Sequence, residues 1–192
     1  GYARNPELVI NFYNERRKQL LDVKPNAGHI GLAELEKDFN VTVVTQNVDN
    51  LHERAGSKRV IHLHGELTKV CSSRDPYNPH YIKELKPDEY EVKLGDKAGD
   101  GTQLRPFIVW FGESVPEIET AVGYVEKADI FVIIGTSMNV YPAAGLLNYV
   151  PRDAEVYLID PKPVDVHSMR QIHVIQKGAS EGVQELRSLL KP

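Results

Sequence analysis

The sequence predicts an α/β protein: a doubly wound, parallel, Rossmann-like sheet carrying a small helical module and an inserted loop module. Two observations predict it. Short β-branched runs recur from Val41 to Ile175 with helix-like stretches between several of them, and strands that alternate with helices are the pattern of a parallel sheet covered on both faces. Residues 72–103 then break that rhythm, being rich in Pro, Asp, Lys, Gly and Tyr with little apolar periodicity, which marks an insertion.

The first helix is expected over 6–21, where Leu8, Val9, Phe12, Tyr13, Leu20 and Leu21 recur at near-helical spacing behind Asn5 and Pro6, residues suited to an N-cap and a first turn. A second is expected over 26–38, carried by Ile30, Ala33 and Leu35 after Pro25. Strands are expected at 41–45, 60–63, 107–111, 130–134, 156–159 and 172–175, runs too short for helices and apolar enough to be buried on both faces. Helices are expected at 118–127, 143–149 and 181–190. The division that follows is 1–39 for the helical part of the small module, 40–71 with 104–192 for the Rossmann-like domain, and 72–103 for the insert.

The 23 basic and 27 acidic side chains leave a formal charge of −4, so no global field draws the chain to nucleic acid, and such a partner is disfavoured. A single cysteine excludes an internal disulfide framework and fits a reducing compartment, with the cytoplasm as the expected location. No apolar run has the length a bilayer-spanning helix needs. The start, from Gly1 to Pro6, has neither an initiating Met nor the regions of a signal peptide, as expected of a chain beginning partway into a longer protein.

In an open α/β sheet, ligands bind beyond the carboxyl ends of the strands. Polar residues follow successive runs here: Gln46, Asn47 and Asp49 after the first, His64 and Gly65 after the second, Gly112 and Glu113 after the third, Gly135, Thr136 and Ser137 after the fourth, and Asp160 after the fifth. They point to one crevice. Each residue also has a plainer use. Gly135-Thr136-Ser137 can offer N–H groups and hydroxyls to a phosphate or ribose, or form a tight turn. Asp160 can bind ribose hydroxyls or cap a turn, and Asn47 and Asp49 can face one polar site or form Asx turns. His64, beside a glycine that admits a ligand closely, can serve as a base or as a packed structural histidine.

In order, Thr45-Gln46-Asn47-Val48-Asp49-Asn50-Leu51-His52, His64-Gly65-Glu66-Leu67, Val109-Trp110-Phe111-Gly112-Glu113 and Gly135-Thr136-Ser137 resemble the motifs of the sirtuins, NAD-dependent protein-lysine deacylases. Pro25 to His29 ahead of Leu32-Ala33 matches the same family, and the resemblance runs from about Pro6 to the C-terminus, outside much of the insert. It implies NAD as cofactor and acylated lysine side chains of proteins as partners. Gln46, Asn47 and Asp49 would position the nicotinamide ribose, Gly135, Thr136 and Ser137 the rest of NAD, and Asp160 with Ala179-Ser180 the adenosine end. The acyl oxygen attacks the ribose carbon that carries nicotinamide, and His64 would be the base that helps a ribose hydroxyl attack the resulting imidate. Lysine, nicotinamide and O-acyl-ADP-ribose are the products. Val109, Phe111 and Gly112 would border an extended substrate peptide.

Tyr13 and Arg16, one helical turn apart, resemble the Tyr-x-x-Arg pair of the desuccinylase and demalonylase (class III) branch, which binds the acyl carboxylate. The other reading puts Arg16 on a solvated Glu15-Arg16-Arg17-Lys18 face and Tyr13 in the core. Two departures stand out. The family's paired zinc cysteines are represented only by Cys71, expected to be a buried thiol, so no zinc is expected. The family's first strand, its Gly-Ala-Gly phosphate loop and its Phe-Arg segment belong before Gly1. A noncatalytic NAD or ADP-ribose binding module, or a truncated structural fragment, is the alternative to an enzyme.

Overall fold

The computed structural model describes residues 2–110, 112–135, 143–164 and 170–191. Phe111, Thr136 and Ser137 lie outside the described residues. In chain order the elements are α1 (Pro6–Leu20), α2 (Ala27–Glu34), β1 (Val43–Thr45), α3 (Leu51–Ala55), β2 (Val60–His62), β3 (Gly65–Ser72), β4 (Lys83–Glu84), β5 (Leu104–Ile108), α4 (Ile118–Val125), β6 (Ile130–Ile134), α5 (Ala143–Leu146), β7 (Glu155–Ile159), β8 (Ile172–Ile175) and α6 (Ala179–Leu189). The chain gathers into two compact units, one of Gly1–Lys24, Thr45–Asn50 and His62–Pro116, the other of Pro25–Val44, Leu51–Ile61 and Glu117–Pro192. Strands β1 and β2 pair with each other, and the chain passes from the second unit into the first along each.

In the first unit, α1 starts where the sequence places it. The Asn5 side chain accepts from the Leu8 N–H at 3.1 Å, Pro6 fills the first turn, and Arg17 and Lys18 sit in the last turn, where cations are favoured. Its inner face brings Ile10 to Val70, Val92, Ala98 and Leu104. Asn14 and Arg17, one turn apart, tether the insert to this helix. Asn14 donates to Val92 O at 2.8 Å and accepts from Val92 N at 2.9 Å, while Arg17 donates to Tyr90 O at 2.8 Å, Leu67 O at 3.3 Å and Asn14 Oδ1 at 2.7 Å. Arg17 is therefore no part of a solvated face. It is 3% exposed, and burial lowers its guanidinium to about 10.

The insert is ordered by hydrogen bonds rather than by a large core. Ser72 Oγ donates to Asp100 Oδ2 at 2.5 Å and accepts from the N–H groups of Arg74 and Asp75, and Thr102 Oγ1 donates to Asp100 Oδ1 at 2.6 Å. The hydroxyls of Ser72 and Thr102 hold the Asp100 carboxyl down at about 2.

One strand expectation fails in an informative way. The run at 107–111 reads as a parallel core strand, yet the strand formed is Leu104–Ile108, and it lies antiparallel to β3, with Gly65 opposite Ile108 and Cys71 opposite Arg105. Gly65 makes this possible at φ +92, where a side chain would collide with the carbonyl of Phe107. Strand β3 itself, interrupted by Glu66, Thr68 and Lys69, has too little apolar continuity to stand out in the sequence.

The second unit holds the parallel sheet, β6-β7-β8, with Ile134 beside Ile159 and Ile159 beside Ile175. Helix α6 covers it with Val183 and Leu186, packed with Tyr157, Ile159 and Ile175 and bordered by Leu32 and Leu35. Leu158 and Leu186 are fully buried, each contributing roughly 2 kcal/mol. An ion pair between Arg187 and Glu34 at 2.6 Å joins α6 to α2. The second helix ends earlier than expected, at Glu34, and continues as a 3-10 turn over Leu35–Lys37.

Candidate active site

In the first unit, the segment after β1 is pinned by its own backbone. Thr45 Oγ1 accepts from Asn47 N at 3.0 Å, Thr45 O accepts from Leu63 N at 2.9 Å, and Val48 O accepts from Leu67 N at 2.7 Å. His62 is buried, with Nδ1 3.1 Å from Asn47 O and Nε2 3.9 Å from Glu66 Oε1, whose other oxygen accepts from Lys69 Nζ at 2.7 Å. The two histidines thus separate in role. His62 braces the loop. Gln46 and Asp49 are half-buried, Asn47 is exposed, and Asn50 Oδ1 is buried without a hydrogen-bond partner among the described residues. A buried acceptor left open in this loop is the kind of group a polar ligand completes.

His64 lies just past β2, half-buried, and its carbonyl accepts from Val109 N at 2.9 Å. Its ring makes no hydrogen bond among the described residues. The backbone therefore sets His64 beside Val109, and whichever ring nitrogen carries no proton can accept one from a substrate.

The segment after β5 is held by a group that sequence reading did not assign to the site. Arg105 donates through both terminal nitrogens to Glu113 at 3.1 Å each and to Ile108 O at 3.0 Å. Glu113 also accepts from Trp110 N at 2.8 Å and from Tyr77 Oη at 2.9 Å. Burial opposes ionisation of both partners, but the Arg105–Glu113 hydrogen bonds more than offset it, raising Arg105 and lowering Glu113 from their ordinary values. Burial and the Glu113 carboxylate together push Tyr77 up to about 12. Glu113, a strand-end candidate in the sequence, thus turns inward as a clamp. The signal for it was an Arg and a Glu flanking Val109-Trp110.

Tyr13 and Arg16 lie on α1 in this same unit. Tyr13 is half-buried, and its hydroxyl accepts from Trp110 Nε1 at 3.3 Å. Arg16 is exposed, with its guanidinium carbon 5.8 Å from the centre of the Phe12 ring and no ion pair among the described residues. So Tyr13 meets Trp110 of the segment after β5, while the Arg16 guanidinium lies exposed beside Phe12.

The second unit places its candidates beyond the carboxyl ends of three neighbouring parallel strands: Gly135 after β6, Asp160 after β7, and Ala179-Ser180 after β8 in the first turn of α6. Gly135 turns at φ +62, a conformation that favours glycine, and no atom of the described residues lies within 4 Å of where a Cβ would stand. Asp160 Oδ1 accepts from Lys162 N at 2.8 Å, an Asx turn that leaves the second oxygen for a hydroxyl. Gly178, the N-cap of α6, offers no side chain to the first N–H groups of that helix. This is the donor and acceptor set that a ribose and its attached groups need, so the residues present fit NAD.

Zinc does not fit. Cys71 is the one cysteine of the sequence, fully buried, with its thiol 3.7 Å from Pro106 O, whereas a closed tetrahedral site needs four ligands. Burial pushes the thiol up to about 11, against a smaller opposing pull from Arg105. Native protein is accordingly expected to resist iodoacetamide at pH 8, with labelling of Cys71 only on unfolding, as read by intact-mass spectrometry. Rapid native labelling would contradict this environment.

These features meet known proteins along nearly the whole chain. Residues 1–142 match the Sir2 family. An NAD-dependent protein deacylase of Bacteroides thetaiotaomicron is 84% identical over 192 residues, a match covering 100% of this chain and 82% of that protein. One of Helicobacter pylori is 49% identical over 186 residues, covering 97% of this chain and 79% of that protein. Among solved structures, a Sir2 homologue–NAD complex superposes with a TM-score of 0.82 at 34% identity, over 99% of this chain and 75% of that one. A Sir2–p53 peptide–NAD+ complex superposes with a TM-score of 0.77 at 29% identity, over 98% and 79%. With strand-end residues in the order read from the sequence and matches of this extent, the chain belongs to the Sir2 family.

Proposed function

We propose that this chain is an NAD-dependent protein-lysine deacylase in which His64 is the general base, acting on acetyl-lysine and on lysines carrying the acidic succinyl and malonyl groups. The observation that carries this reading is the placement of His64, which is half-buried, fixed through its carbonyl to Val109, and uncommitted at its ring among the described residues. Deacylase relatives at 84% and 49% identity support it.

NAD, when bound, supplies a ribose carbon that parts from nicotinamide and takes up the acyl oxygen. Everything else is done by this chain. In the first unit Gln46, Asn47 and Asp49 orient the nicotinamide ribose, and the His64 ring takes a proton from a ribose hydroxyl. Val109, Phe111 and Gly112 border the peptide, which pairs as an extended strand. In the second unit Gly135, Thr136 and Ser137 bind the remainder of NAD, with Asp160, Ala179 and Ser180 towards adenosine. Tyr13 and Arg16 bind the acyl carboxylate, because a guanidinium gives it charge-assisted hydrogen bonds and a phenol gives it one more.

The test of the reaction is product identity. Acylated peptide and NAD should yield free lysine peptide, nicotinamide and O-acyl-ADP-ribose by mass spectrometry, whereas NAD binding without these products would mark a noncatalytic module. The test of acyl choice is Arg16→Met. It should lower kcat/KM for a succinyl peptide by about 10- to 100-fold, the value of a hydrogen bond to a charged group, and lower that for an acetyl peptide far less. Equal losses on both would reject the role of Arg16.

A further inference from the structure

Tyr13 meets the acyl group as a hydroxyl, which has one proton to give and lone pairs to offer. Its other neighbours decide which of these the acyl group encounters. Trp110 Nε1–H donates to Tyr13 Oη at 3.3 Å. An indole N–H can only donate, so the phenol oxygen can only accept from it. No acceptor for the Tyr13 proton occurs among the described residues.

Trp110 does not choose its own orientation. Its backbone N–H is bound to Glu113 Oε1, its ring centre lies 3.9 Å from the Arg105 guanidinium carbon, and the Tyr2 ring packs against it at 5.1 Å. Arg105 and Glu113 are locked to each other by two hydrogen bonds. The indole N–H is therefore aimed, before any substrate arrives, by an ion pair whose arginine is buried.

We propose that Trp110 is a specificity-determining positioning residue: by occupying the Tyr13 oxygen as an acceptor, it commits the phenol proton to donation, so that the acyl group faces two donors, Tyr13 and Arg16. Two donors suit an acyl chain ending in a carboxylate and give nothing to a methyl group. A phenol free to rotate would also present its lone pairs to that carboxylate, which repel it. The inference rests on the reading of Tyr13 and Arg16 as the acyl-binding pair.

Trp110→Phe keeps an aromatic ring over Arg105 and removes the N–H. The ratio of kcat/KM for succinyl over acetyl peptide should fall about fivefold, the scale of one oriented hydrogen bond, through a higher KM for the succinyl peptide. Tyr13→Phe should lower the ratio at least as far, and Trp110→Phe added to Tyr13→Phe should lower it no further, because the two act as one unit. An unchanged ratio in Trp110→Phe, or an independent further fall in the double variant, overturns the proposal. A measurement that needs no Trp110 variant guards against misfolding. The chain has one tryptophan, so a single indole N–H resonance reports this bond, and it should move upfield in Tyr13→Phe; an unmoved resonance also overturns the proposal. Arg16→Met separates the two readings. If it lowers the ratio and Trp110→Phe does not, the role of Trp110 alone fails, and if neither lowers it, the acyl-binding reading fails and takes this proposal with it.

Discussion

Replacing His64 with alanine is expected to lower kcat for deacylation by about 10²- to 10⁴-fold, the usual contribution of a positioned acid or base, while the protein stays folded. The structure gives the reason for both halves of that expectation. The ring makes no hydrogen bond among the described residues, so its removal breaks none of them. The bond that orders this part of the chain, Val109 N to His64 O at 2.9 Å, is backbone and survives the substitution. Stability should change by less than about 1 kcal/mol, since no buried partner is orphaned. Steady-state kinetics and a thermal melt check the two halves separately. Near-normal turnover would remove His64 from the chemistry, and a collapsed melt would assign it to the framework instead.

Arg105→Ala should have the opposite signature, a large loss of stability with the chemistry damaged as a consequence. Arg105 is 4% exposed, and its guanidinium holds Glu113, Ile108 O and the face of Trp110 at once. Removing one partner of a buried ion pair strands the other, at a cost of about 3 to 5 kcal/mol. The Glu113 side chain is 27% exposed, which places the expected loss near the lower end, at about 3 kcal/mol. Arg105→Met combined with Glu113→Gln should recover part of this, because no unpaired charge is then left inside. Urea denaturation of the two variants checks the comparison. A single variant as stable as the parent would mean that water already screens the pair.

The parallel sheet was legible because Ile130 to Ile134 and Val156 to Ile159 are continuous apolar runs, as burial on both faces requires, while Ile172 to Ile175, exposed at His173 and Val174, is still β-branched at three of its four positions. The antiparallel strand β3 was not. Its face alternates Gly65, Leu67 and Lys69 with Glu66, Thr68 and Val70, and its pairing depends on a glycine whose need is visible only once Phe107 lies beside it. The strand-end residues that make up the candidate site were readable because fold class alone says where ligands bind in such sheets. The supports of those residues were not readable. Arg17 looked like one more charge on a basic helix face, and only its bonds to Tyr90, Leu67 and Asn14 show that it ties α1 to the insert. Arg105 and Glu113 flank the segment that the family resemblance assigns to peptide binding, but their pairing depends on the turn between them.

The central claim is that this Sir2-family chain turns over NAD only to remove an acyl group from lysine. The most direct measurement is nicotinamide release from NAD, followed with a succinyl-lysine peptide, an acetyl-lysine peptide and the same peptide unmodified, for the parent protein and for His64→Ala. Release with the acylated peptides, none with the unmodified peptide, and loss of sustained turnover in His64→Ala are the predicted results. Folded protein that binds NAD yet releases no nicotinamide with any acylated peptide, or releases it equally well without one, would contradict the claim.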